Sequence, residues 1–307
     1  MGSILLISQT ALELGFQYAL VAMALFLSYR ILDVADLTTD GCFVLGAAVS
    51  VTLTAAGHPL LAIPAAMLAG ACAGFVTAFL QTRLGAPSIL AGIITNTGLY
   101  TVNFFAMGRR SNASLLKADT VFTLARDAFP GVLGEWHELL LSAGITVLSG
   151  AVLYLFLGTR LGLSIRATGD NRDMVRASSV NPAYTVMVGL CAANALTALS
   201  GAVVGQAQKT VDINMGTGIV VIGLACLIIG ETVLGRRSIG KGIIAVMVGS
   251  VIYRFLYAAV LYTKVVPVEC LKLATAGVVA LAISAPAIKA GAGLQKRKLS
   301  ASRKGVG

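Results

Sequence analysis

The segment Gly162-Leu-Ser-Ile-Arg166-Ala167-Thr-Gly169-Asp170-Asn171-Arg172-Asp173-Met174-Val-Arg176-Ala177-Ser-Ser-Val180-Asn-Pro182 gathers charged and amide side chains between two apolar stretches. A short polar helix lying across the ends of the spans suits docking into a groove of a partner. Asp170 or Asn171 can cap a short helix, and Arg172 and Arg176 fall one turn apart on it. Met174, Val175 and Ala177 add small apolar contacts; the plainer alternative is a solvated loop. Other polar residues lie within the apolar stretches, where charge is costly and often functional. These are Glu13 and Arg254, with Glu231 at the end of a stretch, and the amides Asn96, Asn103 and Asn194. Each is a candidate for lining a solute pathway or for bonding one helix to another. Glu231 has Arg236 and Arg237 nearby as partners, and a Glu13–Arg254 pair is a further possibility. Gly235 to Gly242 reads G-x-x-x-x-G-K but lacks the hydroxyl residue that would follow Lys241 in a phosphate loop. His58 and His137 are solitary, no nucleophile–base set or carboxylate pair occurs, and the five cysteines lack metal-ligand spacing. An enzyme and a resident metal or cofactor are therefore not expected.

The elements that carry these residues follow from composition. Apolar residues make up 57% of the 307, charged residues only 12%, and mean hydropathy is +0.88. A soluble domain carries about 25% charged residues, so this chain belongs in a bilayer, where a spanning helix needs about 20 apolar residues. Uncharged runs give nine spans. They are 14–29, two within 41–82 divided at His58-Pro59, 84–108 starting near Pro87, 139–159, 177–208 with Asn181 as cap before Pro182, 213–230, 242–263 and 273–288. The first reaches back through Glu13 toward Ile4, and no cleavable leader is expected there. Fifteen of the 23 basic residues fall on one side if the N-terminus is outside and the C-terminus inside: Arg30, Arg83, four in the 160–181 loop, three around Lys241, and six from Lys289 onward. The fold class expected is thus an all-α polytopic bundle of eight to ten spans, N-out and C-in. Residues 1–290 form the membrane unit and 291–307 a basic inner tail that meets anionic lipid rather than nucleic acid. Gly70 and Gly74 form a small-residue packing pair. The outer stretch 109–138, with Phe122, Phe129 and Trp136, reads as an interfacial amphipathic helix or a docking surface.

Two segments echo one another. Asp36-Leu-Thr-Thr-Asp-Gly41 leads into Phe43-Val-Leu-Gly46, and Asp212-Ile-Asn-Met-Gly216 leads into Ile219-Val-Val-Ile-Gly223. They precede spans of opposite direction, the pattern of an inverted repeat in transporters. The loop pattern G-x-x-x-R-A-x-G-x-N resembles the coupling loop of permeases in ATP-binding-cassette importers, in particular the branched-chain amino acid and ribose type. The Asp36 segment, the run Pro87 to Asn103 and the run Ile228 to Tyr253 are similar to the same family, Pro87 to Asn103 to a subgroup associated with tryptophan and tyrosine uptake. The similarity covers residues 10–290, with Arg172-Asp173 departing from the small residue usual after the Asn. It implies a multi-pass permease of the bacterial plasma (inner) membrane and a second copy forming a homodimer. Two ATPase subunits would bind ATP and magnesium, and an external solute-binding protein would deliver an amino acid, an aromatic one in that subgroup. On that footing Arg166, Ala167, Gly169 and Asn171 would shape the coupling loop, and Arg172, Asp173 and Arg176 would face the ATPase. Asn96, Asn103, Asn194, Glu13 and Glu231 remain the pathway candidates. The rival readings are an ion-coupled secondary transporter working alone, for which Glu13 and Glu231 are the available acids, and a membrane scaffold.

Overall fold

Leu32–Thr38 is a non-helical stretch inside the bundle, and around it the rest of the fold is arranged. The computed structural model describes residues 2–116, 118–128, 136–235, 238–263 and 277. Helix α1 (Gly2–Leu25) runs on through a π-helical turn, Phe26–Ile31. After α2 (Thr39–Ala55), α3 (Pro59–Thr82) and α4 (Ser88–Ala106) comes β1 (Asn112–Ser114), then α5 (Val121–Ala128), α6 (His137–Gly158), α7 (Arg160–Asp170), α8 (Arg172–Ala177) and α9 (Pro182–Gln208). The chain continues with β2 (Thr210–Asp212), α10 (Ile219–Leu234) and α11 (Ile239–Thr263), and β1 pairs antiparallel with β2. Among the described residues six helices are long and apolar enough to cross a membrane, and α2 and α10 are shorter apolar helices. Eight of the nine expected spans thus correspond to apolar helices; the ninth, 273–288, and the 291–307 tail lie outside the described residues.

Local sequence sets the helix ends. Pro59 and Pro182 occupy first turns, and the Asn181 side chain accepts from the Ala183 N–H at 3.0 Å. Helix α9 is the centre of the bundle, buried along most of its length against α1, α2 and α3. Small residues allow that approach. A Cβ on Gly46 or Gly201 would collide with the Ala198 or Phe43 carbonyl, and one on Gly70 or Gly74 would come within 2.5 Å of the Asn194 or Leu190 carbonyl.

The two echoing segments share their local structure. In Leu32–Thr38 the Asp36 carboxylate accepts from the Thr38 N–H at 2.9 Å, and after β2 Asp212 accepts from the Asn214 N–H at 2.7 Å. Each turn precedes one of the short helices, α2 or α10. Backbone outside a helix at membrane depth persists only where protein satisfies it. Here Ser28 O takes the Val34 N–H at 2.9 Å, and Thr38 and Thr77 hydroxyls bond at 2.7 Å. At the strand end, α5 is tied to the bundle: the Val121 N–H donates to Gln206 at 2.9 Å and Phe122 is buried in the core. Trp136 is exposed, whereas Phe129 lies outside the described residues.

Candidate functional site

The N-termini of α2 and α10 meet inside the bundle. Asp40, in the first turn of α2, accepts from the Gly218 N–H at 3.0 Å and from the Val220 N–H at 2.9 Å. The carboxylate thereby caps α10 at the positive end of its dipole. Close contact at this point requires Gly216, since a Cβ there would collide with the Asp40 carbonyl. Beside the junction lies a cavity of about 490 Å³, lined by Asp40 and Gly41, by Asn96, Tyr100 and Asn103 of α4, and by the Ile213–Thr217 loop. Asn103 is 1% exposed; its amide donates to the Gly41 carbonyl at 3.0 Å while its Oδ1 has no hydrogen-bond partner. Apart from Asp40 the lining is uncharged and mixes polar with apolar groups, suited to a small hydrogen-bonding solute.

At the opposite end of the bundle, α7 and α8 form a rigid cap. Thr159 caps α7 by accepting from the Gly162 N–H at 3.2 Å, and Thr168 bonds Thr185 at 2.8 Å. Gly169 rests on the π-helical turn, where any side chain would strike the Ile31 carbonyl. Asn171 caps α8, its Oδ1 accepting from the Asp173 and Met174 N–H groups at 3.0 Å each. Of α8 only Val175 is buried; Arg172, Asp173, Met174 and Arg176 project from the molecule. Arg176 and Asp173, both exposed, are 3.9 Å apart. Arg166 and Asp170 face a second, polar cavity of about 330 Å³ together with Arg30 and Glu231. There Arg30 Nε lies 3.0 Å from the buried Glu231 carboxylate. A chain of contacts therefore runs from α7 to the π-helical turn, through Arg30–Glu231 to the C-terminal end of α10, and along α10 to Asp40.

The pathway candidates separate. Asn96 and Asn103 share the 490 Å³ cavity. Asn194 is in a helix–helix bond instead, donating to Asp36 Oδ2 at 2.6 Å and to the Leu190 carbonyl. Glu13 accepts from Gln9 at 3.0 Å, and Glu231 sits with Arg30 at the α7 end. Arg236 and Arg237, the partners expected for Glu231, lie outside the described residues. Arg254 lies over the Tyr18 ring at 3.7 Å from its centroid, not against Glu13. Arg166, Ala167 and Gly169 are partly buried within α7, whereas Asn171, Arg172, Asp173 and Arg176 are exposed. Sequence reasoning did not single out Asp36, Asp40 or Arg30 as site residues. Their signal was available: an acid next to a glycine ahead of an apolar run is a helix-start pattern, though which helix it caps is not.

With this geometry established, comparison with known proteins gives four findings. A family model described as the permease component of the branched-chain amino acid transport system matches residues 8–284. The tyrosine transport system permease protein of Clostridioides difficile (strain R20291) is 33% identical over 238 residues, 77% of each chain. An uncharacterised protein, RP368 of Rickettsia prowazekii (strain Madrid E), is 30% identical over 266 residues, 85% of this chain and 91% of that one. Among solved structures, an ABC transporter of metal-chelate type in an inward-facing conformation superposes with a TM-score of 0.49 at 17% identity, covering 92% of this chain and 85% of the other.

Proposed function

The chain belongs to the branched-chain amino acid transport system permease family, and from that premise we propose that it is the membrane subunit of an ATP-driven amino acid importer. It is a multi-pass membrane protein and a transport subunit; ATP and magnesium belong to a partner ATPase. The observation that carries the coupling half of this reading is α8. It is a six-residue helix capped by Asn171, held by the single buried Val175, and offering Arg172, Asp173, Met174 and Arg176 outward. A helix with so little of its own surface buried is built to be completed by another protein. Two ATPase subunits docking on two permease copies would push α8 and α7, and the rigid-body shift would bias the pathway between its two faces. The four arginines of this loop support an N-out, C-in orientation with the loop in the cytoplasm.

The solute half rests on the cavity at the α2–α10 junction and on the similarity to the tyrosine permease of C. difficile. Asn96 and Asn103 offer amide contacts, Tyr100 a ring, and Asp40 a carboxylate engaged by backbone amides. We take the substrate to be an amino acid, aromatic in preference, delivered by an external binding protein. The ion-coupled alternative needs acids free to load and release a cation or proton. Of its two candidates, Glu231 pairs with Arg30 and Glu13 bonds Gln9.

Co-purification of a tagged chain tests the reading directly. An ATPase should come with it, and Gly169→Pro or Asn171→Ala should uncouple hydrolysis from uptake while the chain still inserts in the membrane. Transport by the chain alone, or unchanged uptake in both variants, would remove the importer assignment.

A further inference from the structure

Arg254 is the one buried basic side chain among the described residues, and the bundle sets no acid against it. It is 8% exposed, in the middle of α11, and no hydrogen bond or ion pair holds its guanidinium among the described residues; its Nε is buried and unsatisfied. What it has instead is aromatic. The guanidinium lies 3.7 Å from the Tyr18 ring centroid and 5.8 Å from that of Tyr257. Gly15 makes this possible by letting the Val251 backbone close on α1. The side chain thus turns into the bundle although a long arginine can reach a membrane interface.

Its place in the fold links it to the cavity. Gly249 packs on the Cys226 carbonyl and Gly230 on that of Ala245, so α10 and α11 run antiparallel. Arg254, five residues past Gly249, stands beside the first turns of α10. Tyr18 stacks on Phe43 of α2, with centroids 5.8 Å apart, and Met215 packs on the same cluster. Met215 belongs to the loop whose neighbours Asn214, Gly216 and Thr217 form a wall of the Asp40 cavity. One loop therefore separates an unpaired arginine from the polar space.

A charge at membrane depth that is stabilised only by ring faces is expensive for a purely structural residue. Guanidinium is shaped to bind a carboxylate through two parallel hydrogen bonds. We propose that Arg254 recognises the carboxylate of the transported solute, which it meets when the Ile213–Thr217 wall shifts, and that the Tyr18 and Tyr257 rings then contact the solute's apolar part. This rests on the transport reading above and adds the residue that selects the substrate's carboxylate.

The test uses the complex reconstituted in proteoliposomes, with L-tyrosine and L-leucine as carboxylate-bearing probes and tyramine as the matched amine without one. The wild type should take up at least one amino acid and discriminate against tyramine. Arg254→Gln should raise the KM for that amino acid at least tenfold with ATPase association unchanged, and Arg254→Lys should retain part of the affinity. Arg254→Met should melt no lower than the wild type, because it removes a buried unpaired charge. Uptake of tyramine equal to tyrosine, a wild type that takes up neither amino acid, an unchanged KM in Arg254→Gln, or a marked loss of thermal stability in Arg254→Met would each overturn the proposal. If no ATPase co-purifies yet the chain alone shows the Arg254-dependent discrimination, the importer reading fails and the carboxylate site stands.

Discussion

The Asp40 cap is the most exposed joint in the proposed machinery, and removing it has a definite cost. Asp40→Ala deletes two hydrogen bonds of 3.0 and 2.9 Å that a carboxylate receives from the first turn of α10. Loss of an N-cap costs about 0.5–2 kcal/mol. The upper end applies here, because the bonds are charge-assisted and the acid is half-buried. About 2 kcal/mol corresponds to a fall of about 4 °C in melting temperature. Asp40→Asn keeps one acceptor but turns an NH₂ toward an N–H, so about half the cost is expected. Uptake should fall further than stability does, since an uncapped α10 no longer holds the cavity wall in register with α2. The assay pairs thermal unfolding in detergent with uptake in proteoliposomes. An Asp40→Ala protein that melts and transports like the wild type would refute the idea that this contact joins the two half-helices.

Three further outcomes are expected. Asn171→Ala removes the one oxygen that accepts from both N–H groups at the start of α8 and should cost about 1 kcal/mol locally, read as faster amide exchange over 172–177 and as ATP hydrolysis without uptake. For Arg30 and Glu231, a double-mutant cycle with Arg30→Ala and Glu231→Gln should give a coupling of about 1–2 kcal/mol, below the 3–5 of a fully buried pair because Arg30 is 42% exposed; additive effects would rule out the link from α7 to α10. Asn194→Ala leaves the Asp36 carboxylate, 3% exposed, without its 2.6 Å donor and should lower stability by about 2–3 kcal/mol, seen as a lower melting temperature, with KM little changed because Asn194 is not in the cavity.

Features set within one helical turn were legible in the sequence. Asn171 ahead of Arg172 and Asn181 ahead of Pro182 are caps because a short side chain can reach an N–H two or three residues on, and both do so. The Pro59 break and the Asp36/Asp212 echo are local in the same sense, and the echo returns as two matching turns. Partner choice was not legible. Asn96, Asn103 and Asn194 are the same residue type in similar apolar settings, yet two line a cavity and one bonds an acid. Nothing in their neighbours in sequence distinguishes them, because the difference lies in which other helix each one faces.

Composition and periodicity alone determined that this chain lives in a bilayer as a helical bundle, where its apolar helices lie, and that the segment 160–181 between two of them is polar. Those properties follow from transfer energies and from contacts three or four residues apart. The tertiary structure decided the rest: Asp36 meets Asn194 across 158 positions, Asp40 reaches Gly218 across 178, and Arg254 settles on Tyr18 rather than Glu13. Such contacts depend on how closely helix backbones approach, which glycines at crossings permit, and that spacing exists only once the bundle has formed.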